Sequence, residues 1–129
     1  MYRILQVEDL PSDAYLVKRE VKKTISPCEF RIVEEKEAFL AALIEFKPDI
    51  IISDFSIPGF DWRSALNLTL EKAPQIPFIV VTGSTSEIIR NECMKAGAAG
   101  FVSKNTIEGL GSVILNSIKP STDQSVPSS

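Results

Sequence analysis

Several side chains able to do ionic chemistry stand just past short apolar runs of this chain. Glu8-Asp9 follow the run Tyr2 to Val7, Asp54 follows Ile50 to Ser53, Thr82 ends the run from Phe78, and Lys104 follows Phe101 to Ser103. If those runs are neighbouring strands, their ends bring carboxylates, a hydroxyl and an ammonium to one edge. Carboxylates held that close repel, each pair at 4 Å costing about 4 kcal/mol at an effective dielectric near 20. Lys104 offsets part of that repulsion and a divalent cation can offset the rest. An all-oxygen ligand set favours a hard ion such as Mg²⁺. With cation and lysine in place, a carboxylate oxygen of Asp54 could attack phosphorus, the developing charge being met by the metal, the ammonium and the hydroxyl. Singly, each residue has a plainer reading. Glu8-Asp9 could open a solvated loop, Asp54 could cap a turn, Thr82 could be a β-branched packing residue, and Lys104 a surface lysine. Their joint position at strand ends carries the argument.

The elements that must position these residues follow from periodicity. The apolar runs are Tyr2 to Val7, the weaker Phe30 to Val33, Ile50 to Ser53, Phe78 to Thr82 and the brief Phe101 to Ser103. The third and fourth are continuously apolar, as strands are when helices cover both faces of a parallel sheet. Between them lie helical patterns. Ser12 to Ile25 opens with Ser and Asp13, good first-turn residues, and carries Ala14, Val17 and Val21 at helical spacing. Glu34-Glu35-Lys36-Glu37 precedes a stripe of Phe39, Leu40, Leu43 and Ile44. A third helix is expected from near Asp61, burying Ala65, Leu66 and Leu70. Ser84-Thr85-Ser86-Glu87 has the capping-box pattern for a fourth, which should end before Gly97. Thr106 is the expected cap of a fifth, with Leu110, Val113 and Ile114 inward and Gly109 and Gly111 each weakening it by about 1 kcal/mol relative to alanine. Strict alternation of strand and helix predicts an α/β fold, a doubly wound parallel sheet with right-handed crossovers. Such sheets bind ligands outside the carboxyl ends of their strands, where the candidate residues fall.

A chain of 129 residues suits one domain, here placed over 1–118. The Ser- and Pro-rich stretch 119–129 lacks periodicity and is expected to be a disordered tail or a linker. A net charge of -3 with scattered basic residues leaves no field to attract nucleic acid, and no DNA-binding motif is present. The absence of histidine removes the commonest general base and means the chain cannot be a phosphohistidine donor. Cys28 and Cys93 lack metal or redox spacing and are expected as free thiols, one disulfide being the alternative. No run reaches the roughly 18 apolar residues of a membrane span. The N-terminus reads directly into a strand without a signal-peptide layout. The expectation is a cytoplasmic protein without membrane contact.

In ordered combination these residues resemble the receiver domain of two-component response regulators, from about Tyr2 to Ser117. Glu8-Asp9 resembles the family's acidic pair. Asp54-Phe55-Ser56-Ile57-Pro58-Gly59 resembles its phosphoacceptor loop, with Pro58 four residues past Asp54. Thr82-Gly83 resembles the switch hydroxyl and the small residue after it. Lys95-Ala96-Gly97-Ala98 and Phe101-Val102-Ser103-Lys104 resemble the approach to its lysine, with Phe101 at the switch-aromatic position. The resemblance implies a flavodoxin-like receiver fold, a five-stranded sheet in the order 2-1-3-4-5. It implies Mg²⁺ held by Glu8, Asp9, Asp54 and the main-chain carbonyl of Ser56, with Asp54, Lys104 and Thr82 as the reacting set. The phosphoryl donor would be a phosphohistidine on a sensor histidine kinase or a histidine phosphotransfer protein. Thr82 and Phe101 would then shift, remodelling the face of the fourth helix, last strand and last helix, through which such domains also form homodimers. The domain would not be a classical enzyme, at most catalysing its own phosphorylation and dephosphorylation.

The chain departs from the family pattern at Trp62, where glycine is usual; at Asn105, where proline is usual; and at Phe101, which lacks the hydroxyl of tyrosine. Trp62 reads as packed rather than as a partner contact. A non-proline cis bond costs about 2.5–4 kcal/mol, so the Lys104–Asn105 peptide is expected to be trans. A flavodoxin-like cofactor protein would share the fold, but Glu8-Asp9-Leu10-Pro11-Ser12-Asp13 would repel a phosphate. An aspartyl phosphohydrolase would usually place an acid two residues past its nucleophile, where this chain has Ser56. The rival that keeps the fold is a receiver-like protein-interaction domain that is not phosphorylated.

Overall fold

The computed structural model describes residues 1–84 and 86–118, so the expected tail or linker, 119–129, lies outside the described residues, as does Thr85. The elements run β1 (Tyr2–Val7), α1 (Pro11–Thr24), β2 (Cys28–Val33), α2 (Lys36–Glu45), β3 (Ile50–Asp54), α3 (Trp62–Lys72), β4 (Phe78–Thr82), α4 (Glu87–Ala96), β5 (Gly100–Ser103), a 3₁₀ segment (Lys104–Gly109) and α5 (Leu110–Ile118). The strands form one parallel sheet in the order β2-β1-β3-β4-β5. This is the doubly wound fold expected from the alternation of runs.

Alternate side chains of each strand leave on opposite faces, and both faces are apolar. Leu5, Val7, Ile51, Phe78, Val80 and Phe101 pack with residues of α2 and α3 and with Cys93 of α4. Ile4, Ile50, Ile52, Ile79, Val81 and Val102 pack with Val17 and Val21 of α1 and Leu110 and Ile114 of α5. β3 and β4 are buried along their whole length, which explains their unbroken apolar sequences. Both cysteines are free, and burial pushes the Cys93 thiol up to about 11. No helix among the described residues is long and apolar enough to cross a membrane.

Four local readings of the sequence are corrected. Ile44 is 70% exposed and Leu70 41%, so each lies off the buried stripe of its helix. The fourth helix is capped two residues later than the Ser84 pattern suggested, Ser86 Oγ accepting from the Ile89 amide at 3.4 Å. Ser84 Oγ instead accepts from the Ser86 amide at 3.1 Å, tightening the turn before the cap. Thr106 does not cap α5; it sits inside the 3₁₀ segment with non-helical dihedrals (φ -130°, ψ 47°), and its Oγ1 donates to the Ser103 carbonyl at 3.5 Å. At its other end α4 stops as expected, with Gly97 in the left-handed conformation (φ 117°).

Gly111, read from sequence only as a weakness in α5, has a packing role. A Cβ there would collide with Thr24 Oγ1 at the end of α1, and one at Gly100 would collide with Val113 Cγ1. The two glycines let α5 lie close against both α1 and the sheet. Gly109 faces open space. We therefore expect Gly111→Ala to destabilise the domain by about 1–3 kcal/mol despite alanine's better helix propensity. Thr24→Ala should recover part of the loss and Gly109→Ala should cost nothing. Urea unfolding midpoints compare the three.

Candidate functional site

Strand register sets the site. Val7 pairs with Ser53 across β1–β3, so the residues that follow, Glu8 and Asp54, emerge side by side. Asp54 pairs with Val81 across β3–β4, and Thr82 with Ser103 across β4–β5, which brings Thr82 and Lys104 to the same edge. Lys104 is fixed just beyond β5 because Ser103 Oγ caps the 3₁₀ turn, accepting from the Asn105 amide at 3.1 Å. The Asn105 side chain donates to the Gly83 carbonyl at 3.4 Å, tying the ends of β4 and β5 together. The sole cis peptide among the described residues is Ser26–Pro27, so Lys104–Asn105 is trans, as expected for a non-proline bond.

Asp54 is 9% exposed. Its Oδ1 accepts from Lys104 Nζ at 2.5 Å and its Oδ2 from the Ser56 amide at 3.1 Å. Lys104 Nζ lies 3.6 Å from Glu8 Oε1 and 2.5 Å from Asp13 Oδ2. Carboxylate oxygens of Glu8, Asp13 and Asp54 all fall within 4.8 Å of one another, near enough to share one metal ion. Asp13 was read from sequence only as a first-turn residue of α1, and its place in the cluster was missed. The available signal was distance along the chain: α1 starts at Pro11, directly after the acidic pair, so its first turn hangs over the end of β1. Asp9, half-buried, lies outside that compact group. Ser56 is exposed and contributes its amide to Asp54, while Thr82 Oγ1 is buried and accepts from the Ser84 amide at 3.1 Å. Phe101 is buried in the core, with the Arg90 guanidinium 5.9 Å from its ring centroid. Trp62 is packed, as expected, stacking on Phe55 with centroids 5.7 Å apart and covered by Arg63 at 4.8 Å.

The electrostatics register an excess of acid. Burial, then the neighbouring Asp54 charge, raise the Glu8 carboxyl from 4.5 to about 7, against the opposing pull of Lys104. Burial alone would depress the Lys104 ammonium. Its hydrogen bonds to Asp13 and Asp54, and the charges of Asp54 and Glu8, outweigh burial and carry it above the usual lysine range. One ammonium thus faces three carboxylates in the cluster. That donor set, all oxygen and short of positive charge, fits a hard divalent cation.

A doubly wound parallel sheet whose strand ends converge on carboxylates crossed by a lysine defines a class: α/β signalling domains with an acidic pocket in place of a phosphate-cradling loop. The family model described as the response regulator receiver domain matches residues 4–112. The chain belongs to that family, the receiver domains of two-component response regulators. It is 27% identical to the chemotaxis protein CheY of Listeria monocytogenes over 81% of this chain and 87% of that protein. It is 33% identical to a protein-glutamate methylesterase/protein-glutamine glutaminase of Archaeoglobus fulgidus, over 79% of this chain but only 29% of the relative. It spans a similarly small share, 28%, of the response regulator GacA of Pseudomonas aeruginosa. Among solved structures, the signal receiver domain of a putative Luxo repressor protein from Vibrio parahaemolyticus superposes with a TM-score of 0.80 at 23% identity, covering 99% of this chain and 98% of that one. Receiver domains are signalling modules rather than classical enzymes, and receivers of this family bind Mg²⁺ in an acidic pocket.

The raised Glu8 carboxyl fixes the sign of a pH effect. Between pH 4.5 and about 7 the unfolded chain has released this proton and the metal-free folded domain has kept it. The folded state therefore binds more protons, and its stability falls as pH rises through that window. Unfolding in urea with chelator, from pH 5 to 8, should show that decline. In Glu8→Gln the decline should flatten, gaining up to about 3 kcal/mol at pH 8 relative to the wild type's own trend.

Proposed function

We propose that this domain accepts a phosphoryl group on Asp54 from a phosphohistidine of a sensor kinase or a phosphotransfer protein. The reaction would need Mg²⁺, and its product would switch the α4-β5-α5 face. The observation that carries this reading is the placement of Asp54: one carboxylate oxygen on Lys104, the other on the Ser56 amide, inside a cluster suited to a cation.

Glu8 and Asp54, whose carboxylates already lie together, would hold Mg²⁺, with Asp9 and the Ser56 main-chain carbonyl turning in to complete the set, and the ion would neutralise charge on the phosphoryl oxygens. The protein's own groups account for the rest. The Ser56 amide donates to Oδ2 and so fixes the orientation of the carboxylate at the end of β3. As an Asp54 oxygen bonds to phosphorus, the P–N bond of the donor breaks and its electron pair stays with the imidazole nitrogen. Lys104 is within reach of the charge that builds on the transferred group, and its firmly protonated ammonium needs no proton movement to act. The Thr82 hydroxyl, one residue beyond the partner of Asp54 in β4, would turn from the Ser84 amide toward the new phosphoryl oxygens.

That turn would be felt where β4 leads into α4. Phe101 lies beneath a groove of about 290 Å³ lined by Ser86, Glu87, Arg90, Thr106 and Val113. Ile88, Met94 and Leu115 stand exposed on the same helices. A mixed polar and apolar groove, with apolar side chains exposed on both flanking helices, supports a protein partner, including a second copy, better than nucleic acid. Two departures from the family that favoured an interaction-only role have structural roles of their own: Trp62 is packed and Asn105 braces the end of β4.

Incubation with Mg²⁺ and acetyl phosphate should add the mass of one phosphoryl group to the intact protein. Asp54→Asn or an excess of chelator should abolish the adduct. An unmodified wild type under every donor tried would leave the interaction-only role standing instead.

A further inference from the structure

The contact between Asp13 and Lys104 is unaccounted for by the acceptor chemistry alone, and it lies at the centre of the site. An acidic residue in a helical first turn ordinarily serves its own helix, by capping amides or complementing the dipole. α1 has no side-chain cap, and Asp13 Oδ2 is instead 2.5 Å from Lys104 Nζ, 91 residues away. The ammonium has three protons to donate. One goes to Asp13, one to Asp54 Oδ1 at 2.5 Å, and the remaining direction faces Glu8 at 3.6 Å. The acceptor carboxylate and the α1 carboxylate therefore compete for one cation.

We propose that Asp13 is a positioning residue for Asp54 phosphorylation: by sharing the Lys104 ammonium it keeps that ammonium from settling wholly on the nucleophile. This rests on the reading of Asp54 as the phosphoacceptor. A carboxylate oxygen tied by a short charge-assisted hydrogen bond has its lone pair engaged and attacks phosphorus poorly. The same ammonium held to one side stays near the mouth of the site, where it can meet a phosphoryl oxygen. Asp13 suits that task because it comes from a different wall. Asp54 sits at the floor, on β3, whereas Asp13 is on α1 and 27% exposed. The lysine is drawn outward along the line between them. Without Asp13 its remaining carboxylate partners in the cluster, Asp54 and Glu8, both lie deeper.

The test is the rate of phosphoryl transfer from acetyl phosphate, in which the Asp54 O–P bond forms as the acyl-phosphate P–O bond breaks and acetate leaves with the electron pair. Rates are measured by intact mass across a Mg²⁺ series for wild type, Asp13→Asn, Asp13→Glu, Lys104→Met and the double variant Asp13→Asn/Lys104→Met. Circular dichroism and melting confirm folding, and Asp13→Ser serves as a second truncation. Asp13→Asn should lower the rate at saturating Mg²⁺ about tenfold, as expected for loss of one charge-assisted hydrogen bond. The Mg²⁺ half-saturation should stay within about threefold of wild type, and Asp13→Glu should recover part of the rate. Because Asp13 acts through Lys104, its replacement should change nothing further in the Lys104→Met background. An unchanged rate overturns the proposal. So does a loss confined to Mg²⁺ half-saturation, which would make Asp13 a metal ligand, or the same loss with Lys104 absent. A wild type that takes no phosphoryl group sinks the Asp54 reading together with this one, whereas normal labelling with no Asp13 effect sinks this one alone.

Discussion

Lys104 is a single ammonium shared among carboxylates that the fold forces together. Glu8 and Asp54 leave adjacent strands at the same level, and Asp13 reaches in from α1. The lysine is 16% exposed, so little solvent screens the attraction. Removing one partner of such a group leaves a buried charge uncompensated, at a cost of about 3–5 kcal/mol. The repulsion that the lysine leaves unrelieved appears in the raised Glu8 carboxyl. A site balanced in this way is poised to respond to any added charge, and it suits the cation and phosphoryl group proposed for it. Its unliganded form is held together by the ion pairs of Lys104 with Asp13 and Asp54.

The scaffold places that lysine through several small devices. Five strands in parallel register bring their carboxyl ends to one edge. Ser103 caps the 3₁₀ turn that carries Lys104, and Asn105 fastens the turn to Gly83 beside Thr82. Below, Gly100 and Gly111 let α5 settle against sheet and α1. β5 is one of the two edge strands and the shortest of the five, paired on one side only by β4 and packed beneath α5. The apolar packing behind the site and the ionic chemistry at its mouth are thus joined through the segment from β5 to α5.

Much of this was legible in the sequence because burial on two faces leaves a plain signature. Ile50-Ile51-Ile52 and Phe78-Ile79-Val80-Val81 have no polar alternation and read as strands covered on both faces, and their closing residues pointed to Asp54 and Thr82. Signals that depend on what a helix packs against were less readable. Ile44 and Leu70 fit a helical stripe, yet their helices turn a narrower face to the sheet than the stripe allows. Ser84 and Ser86 are both competent caps, and only the path of the chain out of β4 selects the second. Asp13 was hidden for a related reason. An acid in a first turn satisfies a local rule, so its closeness in sequence to the acidic pair is the one hint that it serves a lysine 91 residues away.

Trp62 is the chain's one tryptophan, and it stacks on Phe55, the residue directly after Asp54, while Arg63 covers its ring and pairs with Glu92 of α4 at 2.5 Å. Its indole emission therefore arises from one place, between the loop after Asp54 and α4. Excited selectively, this native chromophore reports on that junction with no label added. An optical titration can follow events at the sheet edge, and any accompanying change at α4, through a single built-in probe.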